Sequence, residues 1–227
     1  MFLALERKPL LWFVLTIVGS LGLLSTTLAR SLDDSDLEDD ATERSEYSLG
    51  VNGLGGSNYG WYRIDGCSRE PYGVIANYHV PGVRDTVRQQ LVSMYAAGQR
   101  RLRVPIFHAR GLDSGTIMNS QGGNLSEVNR ANLSSFLADV KSTGYVELMF
   151  SMHPQSLNDP PTWTSWNEDY YQENWNLIVN LRPIFASVGL LYRIDLLNEG
   201  IPTSKQTMLR RYSQRLWTDY TLETRSA

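Results

Sequence analysis

Four apolar segments of eight or nine residues, each followed by a stretch of helical spacing, set the tightest limit on how this chain can fold. They are 72-YGVIANYH-79, 101-RLRVPIFHA-109, 145-YVELMFSMH-153 and 190-LLYRIDLL-197. Short apolar runs bounded by turn signals read as buried strands. Between them, 81–99 sets Val83, Val87, Leu91 and Met94 on one helical face, with Pro81 near its start and Gly98 near its end. The segment 124–144 spaces Leu125, Val128, Leu133, Leu137 and Val140 likewise and closes on Gly144. A helix from about Tyr170 to Val188 contains Pro183 and should kink or split there. A last helix spans 204–220, with Ser204 as its cap. Strand–helix units in this order imply right-handed crossovers and a parallel sheet, hence an α/β fold. Either an open doubly wound sheet or a (β/α)8 barrel would satisfy the pattern. A barrel takes about 250 residues, so the four units here amount to half of one.

The ends of the chain are of another kind. Arg7 and Lys8 precede the apolar run 10–24, and 27-TLA-29 supplies small residues for cleavage. That order is a secretory signal, and residues 10–29 are also about long enough to serve as an uncut membrane anchor. Either way the remainder is expected to be exported. Residues 30–48 carry eight acidic side chains against two Arg and should form a flexible linker. The domain proper is then 49–227, and its Gly-rich opening, 50–60, lacks the Lys-Ser/Thr of a phosphate loop and reads as a lead-in turn. The single cysteine, Cys67, excludes an internal disulfide and has no His partner nearby in sequence. A net charge of −3 without a basic stripe argues against nucleic acid as a partner.

Ligands of α/β folds bind at the carboxyl ends of the strands. Those ends carry Asn77 and His79, then His108, then His153, then Asn198 with Glu199. All three histidines of the chain are among them. Imidazoles with a carboxylate can bind zinc, but no H-x-H or H-E-x-x-H spacing is present. Glycoside cleavage is the other chemistry such a set can serve, since it needs a carboxylic acid for the leaving oxygen and a second carboxylate opposite. After His153 the chain places Trp163, Trp166, Tyr170, Tyr171 and Trp175 within 13 residues, rings that could stack on sugars or pin a long loop.

The Arg103-Val-Pro-Ile-Phe107 strand, the strand ending on His153 and the strand ending on Asn198-Glu199 resemble the first half of clan A glycoside hydrolases, especially the cellulase-like family five. The resemblance covers about 72–220 and implies a retaining enzyme on a TIM barrel, acting on a β-linked poly- or oligosaccharide without metal or cofactor. It implies Glu199 as general acid/base and Arg103 as the residue orienting the nucleophile. Asn198 would hold the 2-hydroxyl and His153 would line the sugar subsite. His108, Asn77, Trp163 and Trp166 are further candidates for substrate contact. Two departures matter. Relatives commonly continue Asn-Glu-Pro, where this chain reads Asn-Glu-Gly-Ile-Pro, and the family's nucleophile sits on a seventh strand that these residues do not include. The expectation is therefore the N-terminal half of such an enzyme, inactive by itself. A non-catalytic exported carbohydrate-binding protein and a metal-dependent α/β hydrolase are the alternatives.

Overall fold

The structure, a computed structural model, describes residues 55–62 and 72–226. The leader 1–29, the acidic segment 30–48 and Cys67 lie outside the described residues. In chain order the elements are β1 (Gly56–Asn58), α1 (Val83–Ala96), β2 (Arg101–Ala109), β3 (Met118–Asn119), α2 (Glu127–Thr143), β4 (Glu147–Pro154), α3 (Glu168–Ser187), β5 (Leu191–Asp195) and α4 (Thr207–Ser226). Every strand pairing is parallel. The main sheet runs β1-β2-β4-β5, and β3 joins β2 at His108 and Ala109. Its order follows the chain without the reversal that defines a doubly wound sheet. The fold class is thus α/β with a parallel sheet.

Strand alternation divides the two faces of the sheet. Leu102, Val104 and Ile106 of β2 and Leu148, Phe150 and Met152 of β4 are almost fully buried. They share one core with Val87 and Leu91 of α1, Leu133, Phe136 and Leu137 of α2, and Leu177, Leu181 and Phe185 of α3. Phe150 and Phe185 stack with ring centroids 3.6 Å apart. The opposite face is half-buried and charged. Glu147 bridges Arg101 (3.1 Å) and Arg193 (2.6 Å) at its lower end, and Arg103 meets Asp195 (2.6 Å) above them.

Several expectations need correction. Residues 72–79 form no strand: they pass through consecutive turns, with Asn77 N donating to Gly73 O and Val80 N to Asn77 O. Val74, Ile75 and Tyr78 are nevertheless buried, because a short apolar run signals burial and not backbone shape. The first strand lies instead within the Gly-rich segment read as a lead-in turn. Gly56, Ser57 and Asn58 align with Arg101, Leu102 and Arg103, and a Cβ on Gly60 would lie 2.4 Å from Pro105. Glycine lets this segment lie close against β2. Val128 is 49% exposed, and Asn129 and Asn132 take the inward positions of α2 instead.

Helix boundaries otherwise have local causes. Ser126 caps α2 by accepting from Asn129 N, and Gly144 ends it in the left-handed region at φ 105°. Asn167 caps α3 through Tyr170 N, and the helix runs through Pro183 as one element, not two. Ser204 sits in a turn ahead of α4, whose first turn closes from Arg210 N onto Gln206 O.

One polar cluster ties the loops at the carboxyl rim to α3. Glu173, 6% exposed, accepts from Arg110 Nη2 (2.6 Å), Gly122 N (2.9 Å) and Asn158 Nδ2 (3.3 Å). Burial alone would raise its carboxyl, but the Arg110 guanidinium and the two amides outweigh it and hold the pKa below the usual Glu value. The stabilisation is therefore complete above the unfolded value of about 4.3 and is lost as pH falls through the lower folded value. Glu173→Gln should cost about 2 kcal/mol at pH 7, and its stability should fall less than the parent's between pH 5 and pH 3. Urea unfolding at both ends of that range measures the difference, and equal pH slopes would refute the assignment.

Candidate functional site

Strands β2, β4 and β5 meet at one side chain, that of Arg103, which lies third in β2 and reaches the end of β5. Arg103 Nη2 bonds to Asp195 Oδ2 (2.6 Å), Asn198 Oδ1 (2.8 Å) and Ser151 Oγ, and Ser151 Oγ donates to Asp195 Oδ2 (2.7 Å). Arg103 Nη1 also reaches Asn58 Oδ1 of β1 at 3.4 Å. A planar guanidinium suits this task, since it offers several donors in fixed directions. Asn198 N donates to Met152 O (2.9 Å), carrying the β4–β5 pairing past the end of the strand. The next residue, Glu199, is exposed and has φ 55°. For a residue with a Cβ the left-handed region costs about 1–2 kcal/mol, a strain of the kind held at functional sites.

Beyond these strand ends lies a cleft of about 210 Å3. His153, Asn198 and Glu199 line it together with Gln155, Asp159 and Gln206. His153 packs at a tilt against Phe107, ring centroids 4.7 Å apart, and its buried Nε2 has no hydrogen-bond partner among the described residues. Burial, helped by the positive Arg103, pushes its pKa down to about 4, so the ring is neutral at pH 7. Burial also raises the Asp159 carboxyl. The cleft therefore offers a neutral imidazole, amides and two carboxyl groups, all suited to hydroxyl-bearing ligands.

The other candidates have different surroundings. His108 is buried with Nδ1 3.0 Å from Ser120 Oγ, and burial lowers its pKa to about 3. Asn77 Nδ2 bonds to Gly73 O and Gly115 O and so braces the turn that replaces the expected strand. His79 is exposed beside Asn132, away from any strand end. Among the described residues no three of His, Cys, Asp and Glu come together as a metal ligand set. Trp163 donates to Leu157 O and packs on Trp166 and Tyr212 of α4. Trp166 donates to Glu168 and lies under the guanidinium groups of Arg211 and Arg215. Both indoles thus join the loop after β4 to α3 and α4, and neither lines the cleft.

Sequence reasoning passed over Ser151, Asp159, Gln155 and Gln206. A serine between Phe150 and Met152, within the apolar middle of the strand, is the one sequence signal for Ser151; the others are loop residues without a pattern. Asp195, inside the fourth apolar segment, is satisfied by its ion pair with Arg103. Among the described residues no helix is long and apolar enough to cross a membrane. No protein-family model, curated protein or solved structure matches the chain.

Proposed function

We propose that the chain is part of an exported, glycoside-hydrolase-like (β/α)8 barrel and supplies the acid/base half of a retaining site for a β-linked glycan. The observation that carries this reading is the Arg103 hub, which draws Asn198 to the mouth of the sheet with Glu199 beside it and His153 in the same cleft. A parallel sheet whose strand order follows the chain supports the barrel over a doubly wound fold. Export would use residues 1–29, with 10–29 able to hold the protein at a membrane.

In this reading Glu199 protonates the glycosidic oxygen and later takes a proton from water. Asn198, oriented by Arg103, holds a sugar hydroxyl, and the His153 ring forms a wall of the subsite. Double displacement needs a nucleophilic carboxylate about 5–5.5 Å from the acid. The resemblance assigns that carboxylate to a seventh strand, so Asp195, which ends the same strand that Glu199 follows, is not its counterpart. Residues 31–227 should therefore bind β-linked oligosaccharides without hydrolysing aryl β-glycosides. Binding should perturb the His153 ring resonances and weaken about tenfold in Asn198→Ala, the loss of one to two kcal/mol. Turnover that Glu199→Gln abolishes would overturn the inactive-half reading, and failure of every such saccharide to reach His153 would overturn the site.

Sugar stacking on Trp163 and Trp166 has less support, since both rings are engaged within the fold.

A further inference from the structure

Two Asn-x-Ser triplets stand eight residues apart, Asn124-Leu125-Ser126 and Asn132-Leu133-Ser134. This is the acceptor triplet for N-linked oligosaccharides. The fold treats the two asparagines in opposite ways. Asn124 is exposed, with extended backbone (φ −136°, ψ 142°), between the short turn Gln121–Gly123 and the N-cap of α2. The turn is held firmly: Gly122 N donates to Glu173, and Gly123 O accepts from Asn180 Nδ2 at 2.8 Å. Asn132 lies within α2 and is 4% exposed. Its Nδ2 donates to Ile75 O (2.8 Å) and lies 2.9 Å from His79 Nδ1. A sugar on that nitrogen would displace the turn carrying Val74, Ile75 and Tyr78 out of the core.

We propose that Asn124 is an N-glycosylation site of this protein and that Asn132, in spite of its triplet, stays bare in the folded chain. The donor is a lipid-diphosphate-linked oligosaccharide. Asn124 Nδ2 attacks the anomeric carbon, the N–C1 bond forms, and the bond from C1 to the phosphate oxygen breaks. The lipid diphosphate departs with that electron pair, and the amide proton passes to a base of the transferase. No oxidation or reduction takes place. The inference rests on the export expected from residues 1–29 and is independent of what the cleft binds.

Gly50–Ala227 is a compact unit in its own right, so residues 31–227 contain it whole and can follow a proven cleavable leader into the secretory pathway of a eukaryotic cell. The protein recovered from the lumen or the medium should lose the mass of one glycan on treatment with peptide-N-glycosidase. Asn124→Gln should abolish that shift. Ser134→Ala, which removes the second triplet at an exposed position, should leave it unchanged. Lumenal protein without a glycan, or a glycan that survives Asn124→Gln, overturns the proposal. The full chain with its own leader separates the two premises: if it remains unglycosylated while the redirected form is modified, export fails and the acceptor stands.

Discussion

Phe150→Ala is expected to remove about 3–5 kcal/mol of folding stability, the usual cost of deleting a fully buried phenylalanine. Phe150 is inaccessible to solvent and lies flat on Phe185 of α3, with Tyr192 of β5 tilted against both. One ring thus joins β4 to its crossover helix and to the next strand. Against a total of about 5–15 kcal/mol, the loss takes up much of the margin. Urea unfolding followed by tryptophan fluorescence measures it. Trp217→Ser is the comparison, since Trp217 is 64% exposed on α4 and should change stability by only about 0.5 kcal/mol. Similar midpoints for the two variants would show that this stack does not anchor the sheet.

Arg103→Ala should act on stability and on the cleft together. Truncation removes the donor shared by Ser151, Asp195 and Asn198 and leaves the Asp195 carboxylate, 30% exposed, with only a serine hydroxyl. The cost should be about 2–4 kcal/mol, less than for a fully buried pair because water reaches both partners. Saccharide binding should fall by about tenfold or more, since Asn198 is released. Arg103→Lys keeps the charge but puts a compact ammonium on a flexible stem in place of a planar fork and loses the Nη1 contact with Asn58 Oδ1, so it should recover part of the stability and little of the binding. Asp195→Asn, combined with Arg103→Ala in a double-mutant cycle, isolates the ion pair. Additive losses would mean that Arg103 holds Asn198 without the help of Asp195.

Both expectations concern elements that differed in how plainly the sequence announced them. Strands β2, β4 and β5 were legible because short runs rich in apolar residues, bounded by turn residues, mark strands even where charged residues alternate with them. Their helices were legible from spacing and from Gly144 at the end of α2. Gly56–Asn58 was not, because Gly-Ser-Asn has no strand preference; it is extended only because the edge of β2 offers it partners. The turns at 72–79 were hidden for the converse reason, since Asn77 supplies local bonds that a pattern of apolar residues does not reveal.

Local sequence by itself determined the alternation of strand and helix from β2 onward, most of the apolar face of each helix, and the placing of Asn198-Glu199 just past a strand, because these depend on side-chain period and on turn chemistry nearby in the chain. Tertiary structure alone decided that Arg103 would bind Ser151, Asp195 and Asn198, that Asp159 and Gln206 would join Glu199 at one cleft, and that Trp163 and Trp166 would face the helices. Those outcomes depend on which strands become neighbours and in what register, a choice made by packing among residues 44 to 95 positions apart.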